Sequence, residues 1–273
     1  MKKFIILCLV SFIAVSNLQA TGERENDTNN DQKDIELIRI SCEIGHAYSC
    51  SKLGQMYEIG IGIEENIGKA VELYTKACNT GSSNACSYLG SMYSNGKVVE
   101  KDKAKAVEFY EKSCSMGLSK ACWYAGVMYT KGIGIQQDKL KAVEYLTKAC
   151  ESGIYKSCYA IADMYYTGET LEQDKAKAVE FFTKACEGGD LGGCNNLGYM
   201  YENAVGVNED MTEAILLYTK ACREGNPRGC YHLADIHENG KGVEKNKAKA
   251  VEFYTKACEG KDLESCQKLP KFQ

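Results

Sequence analysis

The chain has 273 residues, of which 44% are hydrophobic, 26% are charged and only 2 are proline. This composition is typical of a folded protein and excludes a disordered or collagen-like chain. Its 33 lysine and arginine residues stand against 37 aspartate and glutamate residues, which gives a net charge of −4. This balance argues against nucleic acid as a partner, because phosphate binding needs clustered positive charge.

The first twenty residues have the pattern of a secretory signal peptide. Lys2 and Lys3 form a basic start, residues 4–15 form an apolar run, and Ala20 is a small residue at the expected cleavage point. The run is too short to span a bilayer, which needs about 20 helical residues, and no second apolar run follows. We therefore expect a signal peptide at 1–20, a flexible arm at 21–32 and a secreted or periplasmic mature chain without a membrane span.

Fifteen cysteines give the clearest organisation of the chain. Apart from Cys8, they form seven pairs in which the spacing is 8 within a pair and 36 from one pair to the next. A fixed period of this length indicates a solenoid of repeats, and so many cysteines indicate an oxidising compartment. The seven pairs are Cys42 and Cys50, Cys78 and Cys86, Cys114 and Cys122, Cys150 and Cys158, Cys186 and Cys194, Cys222 and Cys230, and Cys258 and Cys266.

Each period contains a helix, here called helix B, that is predicted to begin after an Asn or Asp residue. Such a side chain accepts hydrogen bonds from the free amides of a first helical turn. Within the helix, alanine and aromatic or leucine residues form one apolar stripe, and glutamate precedes lysine by four positions, which predicts ion pairs on a solvated face. The predicted N-caps are Asn66, Asp102, Asp138, Asp174, Asp210 and Asn246, and the predicted pairs begin at Glu72, Glu108, Glu144, Glu180 and Glu252.

A glycine follows each helix B and predicts a left-handed helix end. The next helix, helix A, contains the second cysteine of a pair and small residues at Gly54 and its equivalents. Six small residues at one position indicate close helix approach, because glycine inside a helix costs about 1 kcal/mol.

The pattern therefore predicts an all-α solenoid of about six complete antiparallel helix pairs. A helix of the B type at about 33–44 and a segment from Asp262 cap the two ends of a single solenoid at 33–270. The predicted pairs are 46–79, 82–115, 118–151, 154–187, 190–223 and 226–259.

The 36-residue period, the Leu-Gly-x-Met-Tyr string and the Lys-Ala-Val-Glu-x-Tyr-x-Lys-Ala-Cys string resemble Sel1-like repeats. With Cys-x7-Cys in every unit, residues 33–270 look like the Helicobacter cysteine-rich protein family. The resemblance implies a right-handed, TPR-like solenoid in which the two cysteines of each pair are bonded to each other, so that the fold is disulfide-stapled. Metal ligation and redox catalysis are disfavoured, because Cys-x-x-Cys is absent and the chain has only 3 histidines. No metal or cofactor is expected.

The same resemblance implies binding of β-lactams and slow β-lactamase activity. Serine enzymes of this kind use Ser-x-x-Lys, Ser-Asp-Asn and Lys-Thr-Gly. Only the first string occurs, at Ser49, Ser94 and Ser265, which is close to the number expected by chance. No positioned base or oxyanion donor can be assigned, and His237 replaces a recurrent helix-A tyrosine that is expected to pack. The catalytic residues stay unidentified, and whether the chain is an enzyme stays open.

Some helix-A positions do not repeat, and these are candidates for lining a concave ligand groove. They combine aromatic side chains, which give apolar contact area, with amides, which pair with a peptide backbone. Ordinary surface variation and helix packing are the alternative interpretation of each residue. We expect a monomer whose groove holds a peptide, protein or cell-wall-type ligand, with a host protein and a peptidoglycan-type or β-lactam small molecule as candidates. The predicted groove residues are Trp123, Tyr124, Tyr159, Asn195, Asn196, Tyr199 and Tyr231.

Overall fold

The computed structural model of the chain describes residues 28–96, 98–169 and 171–269. These residues contain fourteen helices and no strand, which confirms the all-α fold. The helices are α1 Thr28–Glu43, α2 Ala47–Ile59, α3 Ile67–Asn79, α4 Ser83–Asn95, α5 Lys103–Ser115, α6 Ser119–Lys131, α7 Lys139–Glu151, α8 Tyr155–Thr167, α9 Lys175–Glu187, α10 Leu191–Glu202, α11 Met211–Arg223, α12 Pro227–Asn239, α13 Lys247–Glu259 and α14 Leu263–Lys268. The predicted signal peptide at 1–20 lies outside the described residues.

The B helices are α3, α5, α7, α9, α11 and α13, and each begins directly after its predicted Asn or Asp cap. The cap oxygen accepts the backbone N–H three residues on, as Asp102 does from Lys105 at 3.0 Å. This bond satisfies one of the amides that a helix start leaves without an intrahelical partner. The turn after each helix B then needs a left-handed residue, and Gly117 supplies it with φ of 89°.

The first helix is longer than predicted. α1 begins at Thr28 rather than at about 33, so residues 28–32 belong to a helix and not to the flexible arm. The flexible arm is predicted from the polar composition of the stretch, which is rich in asparagine and glutamate. The first turn of a helix can be polar throughout, because backbone hydrogen bonds form it without an apolar pattern. Residues 21–27 of the predicted arm lie outside the described residues.

The A helices lie close against the B helices at Gly54 and its equivalents, the positions where every repeat has a small residue. A Cβ built on Gly90 of α4 would stand 2.8 Å from the ring of Tyr110 on α5, and one on Gly198 of α10 would stand 2.9 Å from the ring of Tyr218 on α11. Real Cβ atoms do not approach so closely, so a glycine here lets a tyrosine ring lie flat on the facing helix. The predicted close approach is confirmed at these two positions.

The chain divides into two compact units, each with its own core. Unit 1 runs to Met128 and includes Gly132–Gln136, whereas unit 2 comprises Tyr129–Lys131 and the chain from Gln137. In unit 1 the core joins the buried rings and aliphatic side chains of A and B helices, with Tyr74 and Leu89 at its centre. In unit 2, Phe182 and its neighbours form one cluster and Tyr218 with its neighbours another. The single solenoid at 33–270 stays a prediction.

Seven disulfides connect consecutive helices. Each joins α1 or a B helix to the A helix that follows it, with Cα atoms 4.4 to 4.9 Å apart. The bonded pairs are Cys42–Cys50, Cys78–Cys86, Cys114–Cys122, Cys150–Cys158, Cys186–Cys194, Cys222–Cys230 and Cys258–Cys266. The disulfide-stapled fold is therefore confirmed, and the disulfides indicate an oxidising environment outside the cytoplasm. Within the described ranges, no helix is long and apolar enough to cross a membrane.

The ion pairs predicted along the B helices form in part. Glu144, Glu180 and Glu252 each contact the lysine four residues on, at 2.6 to 2.7 Å. The prediction is wrong for the pairs that begin at Glu72 and Glu108. There the lysine reaches the last residue of the helix one repeat earlier instead: Lys76 of α3 donates to the Glu43 carbonyl of α1 at 3.4 Å, and Lys112 of α5 donates to the Asn79 side chain of α3. A lysine ammonium is stabilised at the C-terminal end of a helix, where carbonyl groups are free and the helix dipole has its negative pole.

Candidate binding face on the A helices

The exposed tyrosines of the described chain all lie on A helices. The chain has 18 tyrosines, and five of them are classed as exposed, with 39% to 63% of their surface accessible. The remaining tyrosines are buried or half-buried in packing between helices. Tyrosine rings offer a large apolar surface with a polar end, which suits a surface that meets a ligand. The five are Tyr48 on α2, Tyr88 on α4, Tyr124 on α6, Tyr155 on α8 and Tyr199 on α10.

In unit 1, the predicted residues Trp123 and Tyr124 form one aromatic surface on α6. Their ring centroids are 4.9 Å apart, and the Tyr124 ring also stacks on Tyr110 of α5 at 4.9 Å. Trp123 is half-buried while 40% of Tyr124 is exposed. The stack on Tyr110 supports the Tyr124 ring from behind and leaves its other face accessible.

In unit 2, three predicted residues form a hydrogen-bonded chain between α8 and α10. Asn195 donates to the Asn196 side-chain oxygen at 3.3 Å, and Asn196 in turn donates to the Tyr159 hydroxyl at 3.3 Å. Burial raises the pKa of Tyr159, so the phenol stays neutral. The Asn195 side-chain oxygen is buried and has no hydrogen-bond partner in the described chain, whereas each of the two amide groups has a second N–H that these bonds leave unused.

Tyr199 and Tyr231, the remaining predicted residues, flank His232 of α12. The His232 ring stacks on Tyr218 at 4.5 Å and lies 6.5 Å from Tyr199 and 5.5 Å from Tyr231. Burial lowers the pKa of His232. His232 lies at a helix-A position where the repeats differ, equivalent to Tyr124 and Asn196, but it is not among the predicted groove residues.

The Tyr231 side chain is engaged by other residues of the chain on both its hydroxyl and its ring. Its hydroxyl donates to Glu264 of α14, and the cations of Lys268 and Arg228 stand 5.1 Å and 5.7 Å from its ring. These contacts attach the last, short helix to α12. Within the predicted set, Tyr231 therefore has a packing role that its sequence position did not reveal.

A charged network surrounds the same end of unit 2. Lys268 contacts Asp235 at 3.3 Å and Glu238 at 3.5 Å. Lys241 contacts Glu202 at 2.9 Å and Asp235 at 3.3 Å. Burial alone would raise the pKa of Asp235, but the two lysines hold it below its ordinary value. The network thus keeps the Asp235 carboxylate charged and paired.

A cavity of about 380 Å³ opens between α2, α3 and α4 in unit 1. Tyr48, Lys52 and Gln55 of α2 line it together with Tyr88 of α4 and Tyr74 of α3. The predicted groove residues did not include this cavity, although Lys52, Gln55 and Tyr88 occupy positions at which the repeats differ. The difference between repeats at these positions was the feature of the sequence that could have indicated the cavity.

Glu58 of α2 stands at one wall of this cavity. The hydroxyl groups of Tyr74 and Tyr88 both donate to its carboxylate, at 2.8 Å and 2.6 Å. Burial, followed by the bond to Glu58, raises the pKa of Tyr88 to about 12. Both phenols are therefore neutral donors at physiological pH, and each has its proton directed at Glu58.

Two of the Ser-x-x-Lys serines, Ser49 and Ser265, lie in the first turns of helices, whereas Ser94 lies in the last turn of α4. Ser49 is 8% exposed; its hydroxyl donates to Ser41 at 2.8 Å and lies 3.1 Å from the ring nitrogen Nδ1 of His46. Ser265 is fully buried and donates to Asp262 at 2.8 Å. Lys97 of the remaining string lies outside the described residues. His237 packs flat on Phe253, with ring centroids 5.8 Å apart. The β-lactamase hypothesis stays a prediction of the family resemblance.

Comparison with known proteins identifies the repeat. The Sel1 repeat profile matches residues 47–82, 83–118, 119–154, 156–190, 192–226 and 227–262. No curated protein matched the chain.

Several solved structures are similar. One is c5321, a protective antigen of uropathogenic Escherichia coli displaying an SLR fold: 30% identity, TM-score 0.74, with 86% of this chain and 50% of that chain covered. This chain thus spans half of that protein. A Sel1 repeat protein from Oxalobacter formigenes has 24% identity, TM-score 0.63 and coverages of 91% and 96%. Helicobacter pylori cysteine rich protein B has 33% identity, TM-score 0.39 and coverages of 50% and 97%. With six matched repeats over most of its length, the chain belongs to the Sel1 repeat family.

Proposed function

We propose that the chain is an exported, disulfide-stapled scaffold that binds an extended peptide segment of a partner protein on the face of its A helices. The observation that carries this proposal is the position of the five exposed tyrosines, one on each A helix from α2 to α10. The B helices expose no tyrosine in the described chain. Sel1 repeats are protein-interaction modules, which agrees with a scaffold.

The chemistry of the face favours a peptide. In unit 1, Trp123 and Tyr124 supply aromatic area, and Trp and Tyr are the residues that dominate the free energy of protein interfaces. In unit 2, the half-buried Asn195 and Asn196 side-chain amides can donate to the carbonyl groups of a peptide. A peptide offers both apolar side chains and backbone hydrogen-bonding groups, so it matches both surfaces.

Export is supported by two independent features. The disulfides need an oxidising compartment, and residues 1–20 have the composition of a signal peptide. The partner is therefore a peptide or protein present in the periplasm or outside the cell, and a host protein or the peptide part of a cell wall meets this condition.

Panning of a random peptide library on the oxidised mature chain tests the proposal. Tyr124→Ser in unit 1 and Tyr199→Ser in unit 2 each remove one exposed ring. We expect peptides selected on the wild type to bind one of these variants at least ~10-fold more weakly, which corresponds to about 1.4 kcal/mol.

Leu216→Ser is the matched control, because Leu216 is an apolar side chain on helix B α11 that is 59% exposed. This variant should bind the selected peptides like the wild type, and circular dichroism should show that all three variants are folded. Selected peptides that bind both tyrosine variants normally, or a library that yields no binder, would contradict a peptide-binding helix-A face.

A further inference from the structure

The cavity in unit 1 contains a lysine, Lys52, that pairs with no carboxylate of the described residues. We infer that this cavity is a carboxylate-binding subsite, in which the Lys52 ammonium pairs with a carboxylate of the ligand while Tyr48 and Ile59 contact the adjoining apolar group. The inference rests on the proposed function, because it assigns a ligand class to one part of the helix-A face. At about 380 Å³, the cavity falls in the size range of small-ligand pockets, roughly 300–1,000 Å³.

The fold does not require a lysine at position 52. The equivalent positions of the next five repeats are occupied by neutral side chains of very different size, and all five lie on well-formed A helices. Lys52 is half-buried, and its ammonium makes no hydrogen bond or ion pair with the described residues. Its charge therefore has no assigned role in packing. The equivalent residues are Tyr88, Tyr124, Ala160, Asn196 and His232.

The other charged group of the cavity, Glu58, belongs to the fold. Its carboxylate accepts hydrogen bonds from Tyr74 and Tyr88. The same bond between a helix-A glutamate and a tyrosine sixteen residues later occurs twice in unit 2, where Tyr218 donates to Glu202 at 2.9 Å and Tyr254 to Glu238 at 2.6 Å. Because both oxygens of Glu58 accept a hydrogen bond from a tyrosine, Lys52 is the charged side chain of the cavity that no described residue engages.

Unit 2 shows what a lysine at this repeat position can do. Lys268 lies six periods of 36 residues after Lys52, and it pairs with two carboxylates of the preceding A helix, Asp235 at 3.3 Å and Glu238 at 3.5 Å. α2 is the first A helix of the described chain, so no described helix supplies Lys52 with such partners. A ligand carboxylate would complete the same ion pair in unit 1.

A carboxylate on a peptide has two sources, an acidic side chain and the free C-terminus. Three small probes separate them in ¹H–¹⁵N NMR titrations of the oxidised mature chain. N-acetyl-leucine carries a terminal carboxylate, N-acetyl-glutamic acid α-amide carries a side-chain carboxylate, and N-acetyl-leucinamide carries none. We expect at least one of the two acids to shift the amide signals of Lys52, Gln55 and Tyr88, and the neutral amide to bind at least ~5-fold more weakly, since a charged pair loses its partner.

Lys52→Met tests the lysine and keeps its length and apolar stem. Lys120→Met is the matched control, because Lys120 is an exposed lysine on another A helix of unit 1. We expect the acid probe to bind Lys52→Met at least ~5-fold more weakly and Lys120→Met like the wild type. Unchanged resonances elsewhere in unit 1 verify that the variant is folded.

Three results would overturn the inference. They are equal affinity of the acid and neutral probes, equal affinity of the acid probe for the wild type and Lys52→Met, and failure to detect binding of either acid. These outcomes are independent of the peptide panning. Selected peptides that bind Tyr124→Ser or Tyr199→Ser more weakly than the wild type, and yet bind Lys52→Met with wild-type affinity, would support the proposed function and contradict the carboxylate subsite.

Discussion

Trp123 and Asn196 occupy helix-A positions that vary from repeat to repeat, and each contacts other residues of the proposed binding face in its own unit. Trp123 contacts Tyr124 at 4.9 Å, and Asn196 joins Asn195 to the Tyr159 hydroxyl through two hydrogen bonds. Removing a central aromatic side chain from an interface typically costs 2 kcal/mol or more. A buried amide partner left unpaired costs about 1–3 kcal/mol.

We therefore expect Trp123→Ala to weaken the binding of peptides selected on unit 1, and Asn196→Ala the binding of peptides selected on unit 2. Each affinity should fall at least ~10-fold, which is about 1.4 kcal/mol. Fluorescence anisotropy with the labelled peptide measures the effect, and circular dichroism provides the folding control. If both variants retain wild-type affinity for every selected peptide, the B helices become the next surface to test.

Gly90 illustrates a single residue on which the approach of two helices depends. A Cβ at this position would stand 2.8 Å from the Tyr110 ring, so Gly90→Ala should force the ring away from α4. Overpacking of this kind costs typically about 1–3 kcal/mol. The free energy of unfolding from urea titration should fall by this amount.

Gly68 is the matched control for that substitution. It lies in the first turn of α3, and the nearest atom to an added Cβ is the Asn66 side-chain oxygen at 3.4 Å. Alanine is the better helix former by about 1 kcal/mol, so Gly68→Ala should stabilise the protein. If the two variants changed stability in the same direction, the helix-approach argument for Gly90 would fail.

At the scale of the element, the aspartate caps make the stability of the B helices depend on pH in the acid range. The Lys105 and Lys177 backbone amides hold the pKa values of Asp102 and Asp174 below the ordinary value of the group. A carboxyl whose pKa is lower in the folded state contributes stability that is complete above its unfolded pKa, about 4. The contribution is lost as the pH falls through the lower, folded pKa.

Replacing both caps by asparagine isolates this effect. Asparagine caps a helix about as well as aspartate, as Asn66 and Asn246 already do here, but it does not titrate. We expect the double variant Asp102→Asn, Asp174→Asn to lose less stability than the wild type between pH 6 and pH 2, measured by urea unfolding at each pH. Parallel loss in the two proteins would show that these caps do not contribute to the acid sensitivity.

The elements themselves were predictable because each has a local chemical marker. An Asn or Asp cap set the start of every B helix, and a glycine set the turn after each B helix except α13, where Lys261 has the positive φ of 69°. The start of α1 at Thr28 has no such marker, since its first turn is polar and its apolar stripe begins only at Ile35.

The candidate site was less predictable, because it depends on which varied side chains face each other. The sequence separated repeating from non-repeating positions but could not show that Lys52, Glu58 and Tyr88 enclose one cavity, since these residues come from two helices. It also could not show that Tyr231 is engaged by Glu264 and Lys268. Long side chains choose among several neighbours, as Lys76 does when it reaches the Glu43 carbonyl instead of Glu72.

At the scale of the whole molecule, stability in a helical repeat protein is close to a sum of contributions from repeats and from contacts between neighbours. Each disulfide here closes a ring of nine residues between consecutive helices, with a sequence separation of 8. By the loop-closure relation, such a ring stabilises the fold by roughly 2.6 kcal/mol. The seven contributions do not simply add, because the reduced chain still contains nascent helices.

Reduction should therefore lower stability strongly without removing the ability to form helices. We expect the urea midpoint of the mature chain to fall after treatment with a phosphine reductant and alkylation, because the unfolded state regains the entropy of all seven closed rings. The untreated chain should contain no alkylatable thiol, and its non-reduced digest should yield only disulfides between cysteines eight residues apart. A disulfide from Cys50 to Cys78 would contradict the prediction, because these cysteines belong to different pairs and such a bond would not join the two ends of one nine-residue ring. A urea midpoint unchanged by reduction would also contradict it, because it would show that the seven rings do not stabilise the fold.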